Sequence, residues 1–222
     1  MKYYVYISDS KVDMLLAQIP HDFKHKVALQ FKVDLKILGA SRTVETESED
    51  NRVRRLETVC EFIREYGKLG TADEPDDFIS DELKMRWGPF GEDDPSNAPL
   101  VYFGGLTEKT VIGLGGSINH VIGQPGGSNP SARPHQIPGS IGAILVHYLM
   151  KEFGLTSKKH VDEWEIQEEE MLWSHFVEMT TLEMGGPIQR LEFLAKRLLE
   201  QPAHGNKKQV VLGTPLYVAM AD

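Results

Sequence analysis

Apolar residues along the chain switch between the two-residue period of strands and the three-to-four-residue period of helices. "KYYVYIS" near the start is β-branched and aromatic, which predicts a first strand. "VDMLLAQI" then takes helical spacing until Pro20, "HDFKHKVAL" predicts a second helical piece, and "VDLKILGASRT" predicts a strand. From Asp50 to Tyr66 apolar residues recur three and four positions apart, which predicts an amphipathic helix with Gly67 at its exit.

The middle of the chain predicts a β-hairpin behind an acidic surface connection. The connection is "TADEPDDFISDEL", which is rich in turn-forming residues. "PLVYFGG" and "KTVIGLGG" follow, separated by "LTE", and this spacing is typical of antiparallel strands. Glycines inside strands often mark a close approach by another group, and they recur here at Gly104, Gly105, Gly113, Gly115 and Gly116.

The C-terminal third is predicted to be mostly helical. Helices are expected over residues 140–153, about 162–182 and 187–201, and "QVVLGTPLYVAMA" predicts a terminal strand that returns to the earlier ones. Strands at both ends with helices between them favour one α+β domain over residues 1–222. We expect a mixed or mainly antiparallel sheet with several packed helices.

Composition favours a soluble protein with a substantial core. The chain is 41% apolar and 26% charged, close to the average for soluble domains. Its longest apolar run, residues 141–150, is about half of the roughly 20 residues that a membrane span needs. A charge at Asp9 interrupts the N-terminal segment before an apolar region of signal-peptide length can form. We therefore expect a cytoplasmic protein with no membrane partner.

The net charge of −9 argues against broad binding of duplex nucleic acid, which depends on Lys and Arg. A small anionic ligand in a local basic pocket and a homo-oligomer both remain allowed. The acidic run over residues 162–170 favours a solvated helix face over an acidic docking surface. Cys60 lies on the apolar stripe of its helix, which indicates an inert core residue.

Three familiar motifs fail. "GLGGSIN" resembles a dinucleotide fingerprint, but Ile118 replaces its last glycine and no helix is predicted to follow. The same stretch resembles a nucleophile elbow around Ser117, yet Asn119 stands where the second glycine belongs. The pairs His160/Glu163 and His175/Glu178 reverse the order of the carboxylate-bridged metal bundles. No metal and no cofactor is predicted.

Ser8, Asp9, Ser10 and Lys11 form the first of two segments with potential for binding. They lie where the first strand gives way to a helix. Backbone N–H groups at a helix start, with hydroxyls and an ammonium, suit a phosphate or carboxylate. Ordinary capping by Ser or Asp is the alternative interpretation, and it needs no ligand.

The second segment is the glycine-rich strand with the long loop after it. Between Gly123 and Gly139 the chain has four prolines and four glycines, a connection long enough to be either functional or mobile. Ser117 and Asn119 are predicted to bring donors to a place where missing side chains leave room for a ligand. Strand alternation puts His120 on the opposite face from Asn119.

Three residues of this segment suit phosphate chemistry. The Arg133 guanidinium would donate two hydrogen bonds to a phosphate if the loop folds back over the strand ends. His120 or His135 would exchange protons near neutral pH and act as catalytic acid or base.

The chain resembles an uncharacterised bacterial family of unknown function, best known from actinobacteria. The resemblance is carried by "YVYISDSKVDML", "KVDLKI", "VIGLGGSINHVIG", "RLEFLAKRLL" and "VLGTPLYVAMAD", which together span nearly the whole length. It implies a bacterial, cytoplasmic, single-domain protein and brings no activity, ligand or catalytic residue.

Three functions follow from these patterns. The leading hypothesis is that the protein binds a small phosphate-bearing ligand, a nucleotide. The ligand would lie between the Ser8–Lys11 turn and the segment from Ser117 to His135. A role in bacterial nucleotide signalling or defence would follow from such binding. The second is a metal-independent phosphodiesterase that cleaves cyclic or linear oligonucleotides with His120 or His135. The third is a non-enzymatic interaction module in which the acidic helix from Asp162 and the long loop are partner surfaces.

Overall fold

The computed structural model of the chain describes residues 2–28, 47–91, 99–123 and 166–221. They fall into two compact units. One contains Met1–Ile7 and Leu69–Asp222, and the other is Ser8–Lys68. The first unit holds all of the described strands: β1 (Tyr3–Ile7), β2 (Leu69–Gly70), β3 (Phe78–Phe90), β4 (Leu100–Leu106), β5 (Thr110–Ser117), β6 (Gln189–Gln201) and β7 (Gln209–Met220). The described helices are α1 (Asp9–Gln18), α2 (residues 21–28), α3 (Glu47–Tyr66) and α4 (Ile166–Glu183).

Five strands close into a barrel, in the order β3, β4, β5, β7 and β6, because β6 pairs with both β7 and β3. The ladders of this ring are antiparallel except for the parallel pair of β5 and β7. The two remaining strands lie beside the ring, with β1 antiparallel to β7 and β2 parallel to β3.

The predicted fold class, an α+β sheet with packed helices and a helical C-terminal third, is therefore wrong. The structure is mainly β and is built on a closed barrel. The helix expected over residues 187–201 is strand β6, which pairs with β3 over residues 189–196 and with β7 over residues 191–201. Tertiary pairing of this kind overrides the helix propensity of Leu, Glu, Ala, Lys and Arg. The helix expected over residues 140–153 lies outside the described residues.

The acidic connection was also assigned too far along the chain. Its second half, from Phe78, already belongs to β3. Asp81 and Glu82 interrupt the apolar pattern there, and both remain at least partly accessible to solvent. A strand with one solvated face accepts such carboxylates without loss of pairing.

Alternation along the strands separates a barrel interior from an outer apolar layer. The interior cluster includes Val101, Phe103, Ile112, Leu114, Leu191, Phe193, Val211 and Val218. The outer layer packs α4 against the barrel wall, and its members include Tyr102, Val111, Val210, Leu212, Trp173, Phe176 and Val177. The core is thus filled by side chains, and α4 covers part of the outside.

Several sequence predictions are confirmed. The first strand is β1, the helix after it is α1, and the amphipathic helix is α3. The predicted hairpin is β4 with β5, and the terminal strand is β7. The strand expected in "VDLKILGASRT" lies outside the described residues.

The unit Ser8–Lys68 is helical in its described part. α1 and α3 contact each other, and Phe23 of α2 packs edge-on against Phe62 and Tyr66 of α3. Cys60 is buried, which confirms its assignment as a core residue. Across the described residues, no helix is both long and apolar enough to cross a membrane.

Candidate functional site

The chain passes from strand to helix at Ser8, as predicted. β1 ends at Ile7, and the backbone N–H of Val12 donates to the Ser8 carbonyl oxygen as α1 begins. Ser8 is completely buried, and its side chain makes no capping hydrogen bond to the helix. The Lys11 ammonium donates to the Ser8 hydroxyl oxygen across 3.2 Å instead. The structure therefore brings the predicted hydroxyl and ammonium together.

Asp9, the acidic residue of this segment, is held by α3. Arg52 donates to both Asp9 carboxylate oxygens, each at 2.8 Å. Arg55 places a second guanidinium 3.8 Å from Asp9 while it binds Asp13 at 2.6 Å. A bidentate guanidinium pair is the strongest common form of carboxylate pairing. The negative charge that would repel an anion at the start of α1 is therefore largely offset.

Burial makes the protonated form of Lys11 less stable than it is in water. Burial lowers the pKa of Lys11 to about 8, because a partly buried ammonium loses hydration that the neutral amine needs less. Near neutral pH the group is still protonated. An anion placed beside Lys11 would restore part of the lost electrostatic stabilisation.

Arg52 and Arg55 were missed at the sequence level, although a signal was present. They lie three positions apart on α3 and therefore share a helix face. Such a pair indicates a nearby carboxylate or anion, and Asp9 supplies one here.

Ser117, Asn119 and His120 lie in a tight turn that follows β5. The strand ends at Ser117, and Ile118–His120 forms a 3-10 helix rather than a further stretch of strand. The Ser117 hydroxyl oxygen accepts a hydrogen bond from the Asn119 backbone N–H at 3.4 Å. Asn119 is exposed, whereas His120 is half-buried and packs edge-on against Tyr6 at 5.9 Å. This turn is anchored to β1 through Ile122, whose N–H donates to Val5.

The room left by the glycines before this turn is taken up by a tyrosine of β4 and a tyrosine of β1. A β-carbon on Gly113 would overlap the hydroxyl of Tyr102, and one on Gly116 would overlap the hydroxyl of Tyr6. These glycines allow close packing of aromatic side chains. The interpretation that they open space for a ligand is not supported at these two positions.

The predicted site residues are thus distributed over separate parts of the chain. Ser8–Lys11 lies in the helical unit, and Ser117, Asn119 and His120 lie in the barrel unit. Arg133 and His135 lie outside the described residues. The convergence of all these groups in one hollow stays a prediction. In the described ranges, no three His, Cys, Asp or Glu residues form a group that could hold a metal ion.

A family model described as a family of unknown function, DUF7019, matches residues 2–222. The resemblance to a family of unknown function is thereby confirmed. No curated protein and no solved structure shows significant similarity to the chain.

Proposed function

We propose that this chain, which belongs to the DUF7019 family of unknown function, binds a small phosphate-bearing ligand at the start of α1. The observation that carries the proposal is the Lys11 ammonium, held on the Ser8 hydroxyl in the first turn of the helix. An ammonium beside a helix N-terminus is a recurrent arrangement for phosphate.

Three groups at the start of α1 are suited to phosphate oxygens. The first turn of a helix presents backbone N–H groups that the helix itself does not use. Ser10 is exposed there and offers a hydroxyl donor. Lys11 adds a partly buried positive charge, which attracts a phosphate.

The charges around this turn favour a small anion over a polymer. Arg52 and Arg55 offset the carboxylate of Asp9, so a phosphate does not meet an unpaired negative charge at the helix start. The chain as a whole carries a net charge of −9, which opposes binding of a long polyanion. A nucleotide, the ligand predicted from the sequence, supplies a compact phosphate.

Binding ranks above phosphodiesterase activity, the second hypothesis. Cleavage without metal needs an acid and a base placed on the reacting oxygens. Of the two predicted histidines, His120 packs against Tyr6 in a turn anchored to β1, and His135 lies outside the described residues. No observation on the described residues favours cleavage. The interaction module also stays a prediction, because the acidic run begins outside those residues.

Calorimetry with adenosine and guanosine monophosphates tests the proposal, with the matching nucleosides as phosphate-free controls. We expect heat from the nucleotides, none from the nucleosides, and a loss of affinity of about tenfold or more in Lys11→Met. Lys68→Met removes an exposed lysine of the same unit and should leave binding unchanged. A folded protein that gives no heat with any nucleotide, or a Lys11→Met variant that binds normally, would overturn the proposal.

A further inference from the structure

A groove of about 330 Å³ opens between β3 and the C-terminal end of α4. Residues 87–90 line one side of it, and Thr180 with residues 183–185 lines the other. Gly88 helps to keep the groove open, because a β-carbon built there meets no other atom within 4 Å. This volume lies at the lower end of the range found for small-molecule sites.

Thr180 brings a polar atom without a hydrogen-bond partner to this groove. The residue is only 9% exposed. Within the described parts of the chain its hydroxyl oxygen neither gives nor receives a hydrogen bond. A buried hydroxyl in this state is costly, and most such groups in folded proteins are paired. Thr180 lines the groove, and rotation about its Cα–Cβ bond would turn this hydroxyl towards a ligand bound there, which would supply the missing partner.

The groove is negative at the end where α4 stops. Glu183 is the last residue of α4, is exposed, and lines the groove. It forms no ion pair with any residue of the described ranges. The C-terminal end of a helix adds a partial negative charge, and the last turn of α4 has no basic residue to offset it. Carboxylate, helix end and hydroxyl oxygen together favour a cation.

The apolar residues that line the rest of the groove favour a cation that carries an apolar chain. Phe90 is buried, and Met184 is half-buried and packs against the same outer cluster. An aromatic ring and a thioether accept methylene groups readily. We propose that the groove binds a small primary amine, with its ammonium between Glu183 and Thr180 and its apolar stem along Phe90 and Met184. The ammonium has three N–H donors, so it can serve both oxygen acceptors at once.

This inference goes beyond the phosphate proposal and does not depend on it. The probe carries no phosphate, and the variants that test it leave the start of α1 unchanged. The experiments can therefore refute one proposal while they support the other.

NMR titration of the folded protein with 1-hexylamine tests the site, with 1-hexanol as the neutral control of similar shape. We expect saturable shifts of the Met184 methyl signal with hexylamine, and affinity up to about fivefold higher than for hexanol, because only the ammonium pairs with the exposed Glu183. Glu183→Gln should remove most of that difference. Glu178→Gln, on the same helix but outside the groove lining, should leave it unchanged.

Two further variants separate the site from general effects on the fold. Gly88→Val should narrow the groove and weaken hexylamine binding while the protein stays folded, because the space at Gly88 is open. Thr180→Val keeps the side-chain shape and should weaken hexylamine binding without lowering the melting temperature. Absence of hexylamine binding to the folded protein, or equal affinity for hexanol, would overturn the inference.

Discussion

The hydroxyl of Tyr102 occupies the space that a side chain on Gly113 would need. Val177 of α4 is also within 3.0 Å of that position, so the strand, its neighbour and the helix meet there. Gly113→Ala should therefore destabilise the protein by about 1–3 kcal/mol, the usual cost of overpacking. Urea denaturation measures the change. Gly88→Ala is the matched control, and it should fall within about 0.5 kcal/mol of the wild type because its surroundings are open.

Tyr102→Phe should have opposite consequences in two backgrounds. In the wild type it removes a hydroxyl that is hydrogen-bonded to Thr181 at 3.0 Å, at a cost of about 0.5–1.5 kcal/mol. In Gly113→Ala it removes the atom that the new methyl overlaps, so the cost should shrink or reverse. A double-mutant cycle measures this coupling, and additive effects would contradict it. Burial raises the pKa of Tyr102 far above its ordinary value, so ionisation does not disturb the measurement.

Lys11→Met should stabilise the protein near pH 7, and the gain should depend on pH. Burial lowers the folded-state pKa of Lys11 to about 8 from an ordinary value of 10.5. The cost of burying the charge is fully present below pH 8, and it is relieved as the pH rises from about 8 towards 10.5, where the folded state releases its proton first.

Urea midpoints of the wild type and Lys11→Met at pH 7 and pH 10 check this prediction. The two midpoints should approach each other at the higher pH. A difference that stays constant would show that the burial of charge at Lys11 is not the cause. Phosphate affinity should fall over the same pH range, because the proposed ligand needs the ammonium.

Asp9→Asn should raise the affinity for a phosphate ligand. The substitution removes the negative charge from the first turn of α1 and leaves the guanidinium of Arg52 without its bidentate partner. Calorimetry with a nucleoside monophosphate measures the gain. Because the pair is partly exposed, the loss of folding stability should stay at about 0.2–1 kcal/mol.

Glu61→Gln is the control for this substitution, since Glu61 forms an exposed pair with Arg64 on the same helix α3. It should change neither phosphate affinity nor, beyond a few tenths of a kcal/mol, the stability. A phosphate affinity that falls in Asp9→Asn would indicate that the carboxylate positions the ligand rather than opposing it.

Elements with a clear period and a local boundary could be predicted from the sequence. α3 has the helical stripe and Gly67 at its exit, and the hairpin of β4 and β5 has its short connection. β6 could not be recognised, because its composition is that of a helix and its conformation is set by pairing with β3 and β7. β3 is distant from β6 in sequence, and no local pattern indicates that pairing, whereas β7 follows β6 directly in the chain.

The contrast between local patterns and distant contacts also explains how much of the two candidate sites could be predicted from the sequence. Ser8 and Lys11 lie three positions apart at a strand end, so their meeting follows from local geometry. The groove depends on Gly88 and Thr180, which are brought together only when α4 packs on the barrel. That Thr180 lacks a hydrogen-bond partner in the described residues is a property of packing, and a threonine in a sequence does not reveal it.

β7, like β3, pairs with three other strands: β6 lies along one of its edges, and β5 followed by β1 lies along the other. It also comes last in the chain among the described strands. During synthesis on the ribosome, the edge of β1 that pairs with β7 therefore stays open until β7 has been made. A polypeptide stalled before Gln209 would expose three unsatisfied edges at once, which makes such nascent chains natural clients for chaperones.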